Sequence, residues 1–124
     1  MKVLIVEDNA AIRRLLRRAF LDTASTICEC TDGADALTAY ADCQPDVVLM
    51  DVRMRRMDGL TATRQIRQSH PSARVVIVTD YDDEDLRNAA SDAGACGYAL
   101  KQELADLPQL IRSITETRVS GGSL

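Results

Sequence analysis

The sequence predicts an α/β domain in which helices cover both faces of a parallel sheet. Short runs of Val, Ile and Leu at 2–6, 47–50 and 74–79 alternate with amphipathic stretches of roughly ten to fifteen residues. These runs are nearly continuous in apolar residues, as expected of strands buried on both faces. The first and third strands also end on acids, Glu7-Asp8 and Asp51.

The elements follow in order. Residues 2–6 form the first strand, and Asn9 is placed to cap a helix whose stripe is Ile12, Leu15, Leu16, Ala19 and Phe20. Arg13, Arg14, Arg17 and Arg18 lie on its other side. Residues 25–30 read as a weaker second strand, before a helix around 34–41 that Gln44-Pro45 closes. The third strand is 47–50, with Asp46 capping or solvated at its amino end, away from the acids. Asp58-Gly59 opens a helix through Leu60, Thr63, Ile66 and Arg67, which Ser69-His70-Pro71 terminates. After the fourth strand, 74–79, Asp82-Asp83-Glu84-Asp85 suits a helix N-terminus, where acids oppose the positive dipole end, and Gly94 suits its end. A short fifth strand, 97–100, leads to a last helix near 106–117 with Leu107, Leu110, Ile111 and Ile114 buried; Pro108 fits only its first turn. Residues 119–124 read as a flexible tail or the start of a linker.

Composition narrows the function. A chain of 124 residues with net charge −4 has no overall electrostatic grip on nucleic acid or an anionic membrane surface. No apolar stretch approaches the ~20 residues of a membrane span. The Met1-Lys2 start runs into acids too soon for a signal peptide, so a cytoplasmic location is expected. Cys28, Cys30, Cys43 and Cys96 form no Cys-x-x-Cys pair and read as reduced, small apolar residues. His70 is the single histidine and falls at the opposite end of the sheet, so His-based triads have no base in reach. Phosphate loops of the Gly-x-Gly-x-x-Gly and Walker types are absent.

In a parallel sheet of this kind the ligand lies beyond the carboxyl ends of the strands, at the switch point between the first and third. Glu7, Asp8 and Asp51 would gather there, with Thr79 ending the fourth strand and Lys101 following the fifth. Three carboxylates in one pocket repel one another, which implies a bound cation and a nearby ammonium.

Taken together, Val6-Glu7-Asp8, Leu49-Met50-Asp51-Val52-Arg53-Met54, Met57-Asp58-Gly59, Thr79 and Gly97-Tyr98-Ala99-Leu100-Lys101 resemble the receiver domain of bacterial two-component response regulators. The likeness spans Lys2 to about Thr117, so residues 1–118 are expected to be the receiver. It implies a single flavodoxin-like, CheY-like (βα)5 domain with strand order 2-1-3-4-5. It also implies that Asp51 accepts a phosphoryl group from a sensor histidine kinase or phosphotransfer protein, and that Glu7, Asp8, Asp51 and the Arg53 backbone carbonyl hold Mg²⁺. Thr79 and Lys101 would contact the phosphoryl oxygens, and Thr79 with Tyr98 would form the switch that changes the face of the fourth helix, fifth strand and last helix. A hard cation suits this role because it neutralises transferred oxygens while taking few protein carboxylates. The domain would help phosphorylate itself and slowly dephosphorylate, without being an enzyme for external substrates. The changing face is a possible homodimer surface, and transcription the expected output.

Several positions depart from the common pattern. Arg55-Arg56 replace the frequent Pro-Gly, Asp80-Tyr81 follow Thr79, and Gln102 replaces the proline after Lys101. With Arg53, the Asp80-Tyr81 pair bears on phosphate lifetime. Gln102 and Met57-Asp58-Gly59-Leu60-Thr61-Ala62 resemble receivers of LuxR/NarL-type transcriptional regulators. Two other readings compete: a receiver-like scaffold that acts by contact without phosphorylation, and a metal-dependent phosphatase, which would want a carboxylate where Arg53 stands. The helix-one arginines are expected as a solvated face, with Arg13, Arg14 and Arg17 docking an acidic partner as the sharper alternative.

Overall fold

In the computed structural model, residues 1–122 are described, with side chains through Thr115. The order is β1 (Lys2–Val6), α1 (Ala10–Ala19), β2 (Thr26–Cys30), a 3-10 turn (Gly33–Asp35), α2 (Ala36–Cys43), β3 (Val47–Met50), α3 (Gly59–Ser69), β4 (Val75–Thr79), α4 (Glu84–Asp92), β5 (Gly97–Leu100), a 3-10 segment (Lys101–Asp106) and α5 (Leu107–Gly122). The sheet is parallel throughout, in the order β2-β1-β3-β4-β5. The expected doubly wound architecture is therefore present.

Side-chain alternation divides the core into two layers. Leu4, Val6, Val48, Met50, Val75 and Ile77 pack on one face with Ala36, Ala62, Ile66 and Ala90 from α2, α3 and α4. Val3, Ile5, Val47, Leu49, Val76 and Val78 pack on the other with Leu16 and Phe20 at α1 and Leu107 and Ile111 of α5. Burial on both faces explains why β1, β3 and β4 carry unbroken aliphatic runs.

The expected caps are present. Asn9, Asp58 and Asp83 accept from the backbone N–H groups of Ile12, Thr61 and Leu86, each worth about 1 kcal/mol. Gly94, at φ 101°, turns the chain after α4 in a region an L side chain enters only with strain. Asp46 accepts from the Lys2 backbone N–H at 2.7 Å and so fastens the amino end of β1. His70 caps the carboxyl end of α3, its ring centroid 4.6 Å from that of Tyr40.

Three expectations are revised. The second helical segment starts as a 3-10 turn and becomes α-helix only at Ala36, because Asp32 holds its entry in a turn. α5 continues to Gly122, and residues 123–124 of the expected tail lie outside the described residues. Cys28 and Cys43 are joined as a disulfide between β2 and the end of α2, with Cα atoms 6.6 Å apart. The reading of all four cysteines as reduced therefore fails for this pair. Cys30 and Cys96 are free thiols, and burial pushes Cys30 up to about 11.

Candidate functional site

Parallel pairing makes β1, β3 and β4 finish at one edge. Val6 stands opposite Met50, and Met50 opposite Ile77, so the residues that follow each strand are delivered to the same place. The ladder runs slightly past the strands: the Asp51 N–H donates to the Val6 carbonyl at 3.0 Å and the Glu7 N–H to the Cys30 carbonyl at 3.2 Å. Both acids thus hang from paired backbone.

Glu7 is 1% exposed and Asp51 7%, while Asp8 is open to solvent. Carboxylate oxygens of all three lie within 4.8 Å of one another. The Lys101 ammonium stands 2.7 Å from Glu7 Oε1 and 3.0 Å from Asp51 Oδ1. Burial opposes its charge, but the hydrogen bonds and charges of Glu7 and Asp51 outweigh burial and hold it above its usual range. Desolvation, followed by a hydrogen bond and the charge of Glu7, pushes the Asp8 carboxyl up. Three carboxylates beside one ammonium leave an excess of two negative charges. That donor set fits a hard divalent cation.

Thr79 ends β4, 2% exposed, opposite Leu100 and so next to Lys101 along the edge. Its Oγ1 accepts from the Tyr81 N–H at 3.3 Å. Tyr98 pairs with Ile77 in the sheet and donates its hydroxyl to the Tyr81 carbonyl at 2.5 Å, while the Arg87 guanidinium lies 4.3 Å from its ring centroid. Thr79 and Tyr98 therefore hold the same loop, one through the Tyr81 N–H and the other through its carbonyl. Arg53 reaches over the Tyr81 ring, 4.6 Å from the centroid, and links the loops after β3 and β4. Asp80 is exposed.

Other positions matter here that sequence reasoning left aside. Asp32 accepts N–H groups from Ala34 at 2.9 Å, Arg56 at 2.9 Å and Met57 at 3.1 Å, tying the β2 exit to the β3–α3 loop. Those hydrogen bonds, Ala34 first, hold its carboxyl below the usual range. Thr31-Asp32-Gly33 is turn chemistry, but no local pattern names a partner loop so distant in sequence. Arg56 pairs with Asp35, so half of the Arg55-Arg56 charge is already answered within the chain. The two arginines border a cleft of about 520 Å³ shared with Asp8, Asn9, Thr31 and Asp32.

Gly59 brings the start of α3 against the acid: its N–H donates to Val52 at 2.7 Å, and a Cβ there would lie 1.9 Å from the Asp51 carbonyl oxygen. Arg13 and Arg17 both pair with Glu29, and Arg13 also donates to the Glu7 and Asp8 carbonyls. Arg13 is thus more engaged within the chain than a solvated face implies, whereas Arg17, for all its pairing with Glu29, stays exposed, as do Arg14 and Arg18.

The family model for the response regulator receiver domain matches residues 3–114. Response regulator GacA of Pseudomonas syringae pv. syringae is 37% identical over 117 residues, covering 92% of this chain and 55% of GacA. The chain thus spans about half the length of that curated relative. A LuxR-family two-component response regulator from Aurantimonas sp. SI85-9A1 superposes with TM-score 0.87 at 31% identity, over 94% of this chain and 85% of that one. The CheX–CheY–BeF3–Mg²⁺ complex from Borrelia burgdorferi gives TM-score 0.82 at 26% identity, over 92% and 88%.

Proposed function

The chain belongs to the response regulator receiver domain family of two-component signalling, and from that premise we propose that Asp51 is the phosphoryl acceptor, with Mg²⁺ held by Glu7, Asp8, Asp51 and the Arg53 carbonyl. The observation that carries this reading is the position of the Asp51 carboxylate, inside the acidic cluster and 3.0 Å from the Lys101 ammonium. A magnesium-containing complex of the Borrelia CheY supports the choice of cation.

When bound, the cation supplies positive charge to the oxygens of the transferring group. The chain does the rest. An Asp51 oxygen attacks phosphorus in line, the bond from phosphorus to the donor nitrogen or oxygen breaks, and the leaving group takes up a proton. Lys101 shifts from sharing its charge with Asp51 to meeting the new oxygens, since phosphorylation raises the local charge towards −2. Thr79 offers a neutral hydroxyl to the same oxygens. Because Thr79 now accepts from the Tyr81 N–H, redirecting its hydroxyl loosens the loop that Tyr98 also holds. A local charge event thereby biases two packings of the α4–β5–α5 face.

The donor in this reading is a histidine kinase or phosphotransfer protein in the cytoplasm, and the output is transcription through the remainder of a longer protein, with α4–β5–α5 as the surface for self-association. No described helix is long and apolar enough to cross a membrane. The test is incubation with a small acyl phosphate and Mg²⁺, followed by intact mass. One phosphoryl group should add to the wild type and none to Asp51→Asn; equal labelling of both would reject the assignment. Thr79→Ala should keep phosphorylation and lose most of the phosphorylation-dependent change in self-association.

A further inference from the structure

Glu7 and Asp8 lie between the end of β1 and the Asn9 cap of α1. Glu7 is held by its N–H bond to the Cys30 carbonyl and by its Oε2, which accepts from the Asn9 N–H at 3.2 Å. The two peptides that follow Glu7 and Asp8 are held by one guanidinium nitrogen: Arg13 Nη1 donates to the Glu7 carbonyl at 2.8 Å and to the Asp8 carbonyl at 3.1 Å. Drawing two successive carbonyls to one point sets both peptide orientations, and through them the directions of the two carboxylates. Arg13 is itself held from outside the loop. Its Nε lies 3.4 Å from Glu29 Oε1, on the strand neighbouring β1 and in register with Ile5. The other Glu29 oxygen receives Arg17 Nε at 2.9 Å. Glu29 offsets only one of the two arginine charges, and the positive charge left over opposes a bound cation, so any support that Arg13 gives the acidic pair is geometric rather than electrostatic.

We infer that Arg13, braced by Glu29, is a positioning residue that sets the divalent-cation affinity of the Glu7–Asp8 pair; this rests on the proposed metal reading of that pair. Partners that orient metal ligands typically contribute 10–100-fold to affinity. Arg17 shares Glu29 but reaches neither loop carbonyl, and so provides the internal control.

The experiment is Mn²⁺ titration of the full chain, with free ion read by electron paramagnetic resonance. Wild type, Arg13→Gln, Arg13→Lys, Arg17→Gln and Asp8→Asn are compared, with thermal melts of each. Arg13→Gln should weaken Mn²⁺ at least about tenfold, Arg13→Lys less, because an ammonium can still reach a carbonyl, and Arg17→Gln by less than twofold. At saturating metal, phosphorylation of Arg13→Gln should return to within about threefold of wild type, as expected when affinity and not chemistry is lost. Wild-type affinity in both Arg13 variants would overturn the inference while leaving the metal reading intact. Equal weakening in Arg17→Gln would also overturn it, by tracing the effect to the shared Glu29 contact rather than to the loop carbonyls. A wild type that binds no Mn²⁺, or an Asp8→Asn variant that binds it as well as wild type, would overturn the metal reading and this inference with it. Should Arg13→Gln fail to fold, Arg13→Lys decides the outcome: weakening beyond the twofold limit set for Arg17→Gln supports the inference, and affinity within that limit overturns it.

Discussion

Gly59→Ala is the sharpest perturbation of the site, because it adds one methyl group where backbone meets backbone. That Cβ would lie 1.9 Å from the Asp51 carbonyl oxygen, 2.8 Å from its carbonyl carbon and 2.9 Å from Met50 Cγ. Neither peptide oxygen nor carbon can rotate aside, so α3 and the Asp51 peptide must separate by about 1.5 Å to reach an ordinary contact. The 2.7 Å hydrogen bond from Gly59 to Val52 lengthens with them. Overpacking of this kind costs about 1–3 kcal/mol, and each kcal/mol lowers the melting midpoint by about 2–8 °C. Even a ~1 Å share of that separation falling on the acceptor slows phosphoryl transfer by up to ~100-fold. Thermal melting and acyl-phosphate labelling measure the two effects separately. Gly94→Ala is the comparison: its φ of 101° and a Cβ 2.9 Å from Arg67 Cγ also destabilise the fold, but beside α3 and far in the chain from Asp51. Gly59→Ala should lose both stability and rate, and Gly94→Ala stability alone. A Gly59→Ala protein that melts and labels like wild type would refute the reasoning, as would equal slowing in both variants.

Other outcomes follow from the same contacts. Lys101→Met leaves Glu7, 1% exposed, without its ammonium, and should cost up to ~3–5 kcal/mol near neutral pH. Since the Lys101 pKa is raised in the fold, its stabilisation is complete below 10.5 and fades as pH climbs through the folded value, so wild type and variant melts should converge in strong alkali. Asp32 behaves oppositely: its lowered folded pKa gives stability that is present above the ordinary carboxylate range and lost as pH falls through the folded value. Asp32→Asn should therefore flatten the acid limb of the stability profile in urea titrations. Reduction of Cys28–Cys43, with a sequence separation of 15, should cost about 3 kcal/mol on the chain-entropy account; a melt unchanged by a reducing agent would refute that.

The pocket was legible because its acids are fixed by strand ends. Val6 and Met50 finish apolar runs, parallel pairing carries those ends to one edge, and Glu7, Asp8 and Asp51 follow directly after them. Lys101 was legible by rarity, as one of two lysines. The contacts that organise the loops were not. Asp32 reaches Arg56 and Met57, Arg13 reaches back to Glu7 and Asp8, and Cys28 meets Cys43, all through pairings of orientation that periodicity does not encode. Thr26–Cys30 read weakly as a strand because it lies at the sheet edge with Thr26 and Glu29 open to water. The arginines of α1 were read by helix face alone, and that misses a partner supplied by a neighbouring strand.

Amine-reactive chemistry gains an unusual simplicity from the two-lysine composition. A mild acylating reagent has the amino terminus, the exposed Lys2 and the 11%-exposed Lys101 side chain as its possible targets. Adduct formation at Lys101, read by peptide mass, would thus report how often the acidic cavity opens in unmodified native protein, with Lys2 as the built-in reference for reagent strength.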